Sequence, residues 1–143
     1  MISAYEKSIH DDPLVRSYLA IAMGVTRDEY YGASLLKGLG DENRESRLAA
    51  IQAIGMVGFS DAIPKLKSII ENSEFEDERL AVTIATGLIG DSSSIPLLRD
   101  LMEDEEPNIR WDAAIGLAKM GSETCIPVLS NLLDRKYLMT FPE

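Results

Sequence analysis

Four arginines, Arg16, Arg47, Arg79 and Arg110, recur at steps of 31, 32 and 31 residues, and each opens the same pattern. A pattern repeating at this length marks stacked copies of one supersecondary unit, because each copy can bury its apolar face only against its neighbours. The segments around the arginines read VRSYLAIAMGVTR (15–27), SRLAAIQAIGMVG (46–58), ERLAVTIATGLIG (78–90) and IRWDAAIGLAKMG (109–121). A second block follows each: YYGASLLKGL (30–39), DAIPKLKSII (61–70), SSIPLLRDLM (93–102) and TCIPVLSNLL (124–133).

Local chemistry reads each unit as two antiparallel helices. In the first block, Ala50, Ile54 and Val57, and then Val82, Ala85 and Ile89, fall at helical spacing. Gly58, Gly90 and Gly121 stand eleven residues after their arginines, where a left-handed residue closes a helix. Asp61, Ser93 and Thr124 follow as expected N-caps of the second helix. Pro64, Pro96 and Pro127 then sit in its first turn, where no backbone N–H is needed. The second helix is expected to bury Ile63, Leu66, Ile69 and Ile70, with Ile95, Leu98, Leu101 and Met102, and Ile126, Leu129, Leu132 and Leu133, as counterparts. Alanine-rich first helices (Ala49, Ala50, Ala53; Ala81, Ala85; Ala113, Ala114, Gly116) let adjacent helices approach closely.

The first unit departs from the pattern. Arg27 replaces the closing glycine and Ala33 the proline, which predicts a differently built turn. The fold expected is all-α, an α-α superhelix: a right-handed solenoid of stacked antiparallel helical hairpins in a single domain, 1–143. Residues 1–10 form a capping helix with Ile2, Tyr5 and Ile9 inward. Repeats run over about 11–39, 40–72, 73–103 and 104–134, and 135–143 is a short tail.

The run Val-Arg, alanine-rich helix, Gly, Ala-Ile-Pro-x-Leu resembles the short HEAT-like repeats of the phycobilisome-lyase type over residues 11–134. The tryptophan-leucine-glycine signature of tetratricopeptide repeats and the threonine-proline-leucine-histidine turn of ankyrin repeats are missing. The resemblance implies a helical solenoid whose members include bilin-attachment lyases, deoxyhypusine hydroxylase and many binding scaffolds. The last enzyme's His-Glu pairs have no counterpart here. The one histidine, His10, precedes Asp11 and Asp12, which reads as a helix junction with Asp12 capping rather than a metal site.

No other catalytic set is legible. The chain has no glycine-rich phosphate loop, no Ser/His/Asp set and no Cys/His cluster. Cys125 shares a small-residue column with Ala62 and Ser94, which suits packing more than reactivity. A single cysteine excludes an intramolecular disulfide framework and favours a reducing compartment, the cytoplasm. A net charge of −10 repels phosphate backbones, so nucleic acid is not an expected partner. No apolar run approaches the roughly 18 residues that a membrane span needs. The expected function is a non-catalytic protein–protein interaction scaffold, with no cofactor and no metal. The alternative is a lyase-type or accessory enzyme subunit of the phycobilisome-lyase family.

Acids precede every arginine, which predicts an arginine–acid ladder between repeats. Half of the acids fall in 41–45, 71–78 and 103–106, on one edge of a solenoid, where they would attract a protein with a basic surface. The second helices are expected to line the concave surface, with Ser34, Lys37, Lys65, Ser68, Leu97, Asp100, Val128 and Asn131 between the core positions as a binding surface. Trp111 is expected to pack on Leu138 or Phe141 of the tail. The ends predict continuation into a longer solenoid or an end-to-end dimer.

Overall fold

The computed structural model describes residues 1–8, 12–122, 126–127 and 129–130. Among them are eight α-helices: α1 (Ile2–Ser8), α2 (Pro13–Val25), α3 (Gly32–Gly38), α4 (Arg44–Val57), α5 (Ile63–Asn72), α6 (Glu76–Ile89), α7 (Ile95–Leu101) and α8 (Pro107–Lys119), and no strand. The first helices α2, α4, α6 and α8 pack on one another in order. Each second helix lies against the next first helix: α3 on α4, α5 on α6, α7 on α8. This is the all-α stack of helical hairpins that the periodicity predicts.

The stack is held together along a seam of small residues. A Cβ added to Gly24 would meet the Cα of Ala53 at 2.8 Å, one on Gly55 the Cα of Ala85 at 2.9 Å, and one on Gly87 the Cα of Gly116 at 3.1 Å. These glycines stand eight residues after the arginine, and their receivers six after the next one. The first helices therefore touch backbone to backbone, which larger side chains at either column would prevent. A single apolar core runs beside the seam from Tyr5 to Leu117, with Leu35, Ile54, Leu66, Val82, Leu98 and Ile109 buried in it.

Gly58, Gly90 and Gly121 close their helices at φ of 73°, 68° and 75°. Arg27 holds the same left-handed conformation at φ 57° without being glycine, but the first turn is in part differently built, since α2 ends on the right-handed Thr26 where α4 and α6 end on Gly58 and Gly90. A short 3-10 turn precedes each second helix at Glu29–Tyr31, Ser60–Ala62 and Ser92–Ser94. That turn moves the caps. Asp28 and Asp91 accept from the N–H of Tyr30 and Ser93, so Ser93 is a donor beneath a cap and not the cap itself. Asp61 likewise lies inside its turn, whose N-cap position is Phe59, and Thr124 lies outside the described residues. Pro64 and Pro96 do occupy the first turn of α5 and α7.

The second helices bury Ile63, Leu66, Ile70, Leu98 and Leu101, with Ile69, Ile95 and Met102 partly covered. Ile126 departs from expectation at 56% exposed, whereas Leu129 packs partly against the core. Ile9, Cys125, Leu132, Leu133 and the tail with Leu138 and Phe141 lie outside the described residues, and with them the expected cover over the half-buried Trp111.

Candidate functional site

The inter-repeat turns place one arginine of each of the first three repeats against an acid of the next. Arg16 Nε donates to Asp41 Oδ2 at 2.6 Å and its Nη2 to Oδ1 at 2.9 Å, with both side chains buried. Tyr5 lies close by, its hydroxyl pushed up to about 12 by burial and by the Asp41 charge. Arg47 Nε donates to Glu78 Oε1 at 2.9 Å, and its Nη1 to the carbonyls of Asp41 and Glu42 at 2.9 and 3.1 Å. Arg79 binds Asp104 through both terminal nitrogens. Burial raises the Asp104 carboxyl, but Arg79 and the Glu106 backbone N–H outweigh this and hold it below the ordinary carboxylate range. Arg110 donates to the carbonyls of Asp104 and Glu105 at 2.7 and 3.0 Å.

The arginine column is thus a structural ladder. Its first three guanidinium groups are engaged by carboxylates of this chain, which leaves no stripe open to an outside anion.

Around the ladder, acids remain in excess. Between the turns of the last two described junctions lies a hollow of about 540 Å³ lined by Glu71, Glu74, Glu76, Asp104, Glu105 and Glu106, with Arg79, Ile70 and Ser73 behind them. A second hollow of about 420 Å³ adjoins it through the shared residues Ser73 and Glu74, and is lined by Leu39, Ser68, Ile69, Asn72 and Phe75, with Arg47 and Glu78. Glu76 and Glu106 stand within hydrogen-bonding reach of one another, and that contact raises the Glu106 carboxyl above its usual range. Phe75 is 46% exposed at the rim, with the Arg44 guanidinium 4.6 Å over its ring and Arg44 also held by Asp77. One wall of this edge is therefore anionic and the other apolar.

The surface expected on the second helices is only partly assembled. Lys65, Ser68 and Asp100 are exposed and Leu97 is half-buried. Ser34 is buried, its hydroxyl donating to Glu6 at 3.2 Å, because α1 covers that face of α3; it does not belong to an open surface. Lys37 is exposed but bridged to Glu6 at 2.9 Å. Val128 and Asn131 lie outside the described residues. Of the eight positions, Ser68 lines a hollow. Sequence reasoning missed Phe75 and Ile69 as rim residues. A lone aromatic inside the acidic run 71–78 is the signal that could have found Phe75.

A family model for HEAT repeats matches residues 2–86 and again 63–137, nearly the whole chain. The chain belongs to the HEAT-repeat family. No curated protein sequence matches this HEAT-repeat chain. Repeats of this family are generally protein-interaction scaffolds. Among the described residues, no helix of this HEAT-repeat chain is long and apolar enough to cross a membrane, and no three His, Cys, Asp or Glu side chains converge as metal ligands.

Proposed function

We propose that this HEAT-repeat chain is a non-catalytic scaffold that holds a basic segment of a partner protein along its acidic edge. One observation carries the reading. The ladder consumes Asp41, Glu78 and Asp104, yet Glu74, Glu76, Glu105 and Glu106 line the larger hollow with no ion pair among the described residues. Lysine or arginine side chains entering there gain attraction from several carboxylates at once, and Phe75 and Ile69 offer apolar contact beside them. Lys65, Leu97 and Asp100 extend the surface along the second helices.

Within the family, the Val-Arg, Gly and Ile-Pro-x-Leu pattern supports the short phycobilisome-lyase-type subtype. The single cysteine supports residence in the cytoplasm.

Affinity capture of the natural partner with the intact chain, repeated at rising salt and with Glu74→Lys/Glu105→Lys, tests the proposal. Capture should weaken steeply with salt and fail with the double reversal, while Lys65→Glu has a smaller effect. Binding indifferent to both salt and reversal overturns the edge as the docking site. Titration with a bilin should leave its absorbance unchanged; a shifted band would point to lyase-type chemistry instead.

A further inference from the structure

The N-cap column of the first helices holds Asp12, Asn43, Phe75 and Glu106, each four residues before its arginine. Three of these are polar groups that suit the positive end of a helix, and Asp12 and Asn43 accept from the N–H of Leu14 and Ser46. Phe75 can do neither. It makes no capping bond, stands 46% exposed and takes no part in the buried core. A residue that breaks a local rule kept by its counterparts, with no gain in packing, points to a contact outside the fold.

Arg44 holds the ring in place. Its guanidinium lies 4.6 Å from the ring centroid and donates to both oxygens of Asp77 at 3.0 Å. So positioned, Phe75 lines the smaller hollow, of about 420 Å³, together with Leu39 and Ile69. That hollow is neutral where its neighbour is anionic. Arg47 and Glu78 pair within it at 2.9 Å, and the Ser73 hydroxyl also donates to Glu78 at 3.1 Å. The Asn72 amide is tied back to the Ser68 carbonyl at 2.7 Å. Glu74, which makes no ion pair among the described residues, stands on the wall shared with the acidic hollow. A cation gains more on the acidic side of that wall, and an apolar side chain gains more against Phe75 and Ile69.

We propose that the smaller hollow is the specificity site of the docking edge, and that it takes a large apolar side chain from the same segment whose basic residues enter the acidic hollow. This rests on the acidic-edge reading and adds a spacing to it. Leu39 and Ile70, one lining each hollow, occupy the same column of successive second helices, so the hollows lie one repeat apart. Packed helices are spaced roughly 8–10 Å. A polyproline-type extended segment, which suits aromatic-lined grooves, returns a side chain to the same face every three residues, about 9 Å on. The apolar residue and the nearest basic one are therefore three residues apart in an extended chain. A helix covers only about 4.5 Å in that interval.

Fluorescence anisotropy of labelled synthetic peptides with the full chain tests this. In a glycine-serine host, one peptide carries an arginine pair alone. Others add a leucine three residues from the pair, on either side in turn, or seven residues away. Leucine at three should tighten binding about tenfold in one of the two orders, and leucine at seven should add little. Phe75→Asn restores a capping residue, so its melting temperature should match or exceed the parent's. It should keep the arginine-pair affinity and lose the leucine gain. Glu105→Lys should weaken every peptide alike. Arginine-pair binding without a leucine gain, or a gain that survives Phe75→Asn, overturns this inference and leaves the acidic edge standing. A gain only at seven overturns the extended spacing, and a lower melting temperature in Phe75→Asn would make the ring structural. No salt-sensitive binding by any peptide overturns both readings.

Discussion

Gly87 of α6 and Gly116 of α8 meet backbone to backbone: a methyl group built on Gly116 would stand 3.0 Å from the Gly87 Cα. The same closeness recurs one repeat earlier, where a methyl on Gly55 would stand 2.9 Å from the Ala85 Cα. Backbone cannot swing aside as a side chain can. Gly55→Ala should therefore destabilise the fold by about 1–3 kcal/mol. Gly40→Ala, whose new methyl lies 3.7 Å from its nearest neighbour, should fall within about 0.5 kcal/mol of the parent. Urea unfolding of both variants makes the comparison, and equal midpoints would mean that the seam is not tight.

The Arg16–Asp41 bridge is the most buried rung of the ladder, with side chains 7% and 5% exposed. Asp41→Ala takes a bidentate carboxylate from an enclosed guanidinium and should cost about 3–5 kcal/mol. Arg16→Met/Asp41→Leu removes both charges and should cost much less than either single change. Hydrogen exchange on Asp41→Ala should show lost protection in both α2 and α4, because the rung joins two repeats. Loss confined to one of them would show that the rung does not couple them.

Arg27 holds a left-handed backbone at φ 57° where its counterparts are glycine. A side chain in that conformation is strained, and Arg27→Gly should raise stability by about 1 kcal/mol. Gly58→Ala, at φ 73° with open space around the new methyl, should lower it by a similar amount. Thermal melts of the two variants shifting the same way would contradict this account of the turn.

Stability should pass through a maximum at mildly acidic pH. The Glu106 carboxyl is raised above its ordinary 4.5 by Glu76, so its charge opposes folding near neutrality, and protonation as pH falls through that raised value relieves the strain. Asp104 is depressed below 3.8, so the stability it contributes is complete above 3.8 and is lost as pH falls through its lower folded value. Melting temperature should rise slightly on acidification from neutrality and then drop below about pH 4. Glu106→Gln should flatten the rise and leave the drop.

The hairpin stack was legible because its signals act within a few residues. The glycine after each first helix, the proline inside each second helix and the apolar spacing each have a local cause. The arginine ladder was legible as well, since an acid-rich turn precedes every arginine. The seam was only half visible. Ala53, Ala85 and Gly116 stood out as small residues, but that Gly24, Gly55 and Gly87 are their mates depends on how one helix is set against the next. A 3-10 turn leaves no periodicity of its own, so the caps read two residues late, and Ser93 reads as a cap when Asp91 fills that role. Ser34 reads as a surface residue because its concealment comes from α1, twenty-eight residues away at Glu6.

The ladder also has a grammar for duplication and loss. Arg16 and Arg79 reach an acid twenty-five residues ahead. Excising residues 48–79 would set Arg47 the same distance ahead of Asp104, so an internal unit can be lost and a matched rung still forms. An internal unit can thus be lost or duplicated without unpairing the ladder.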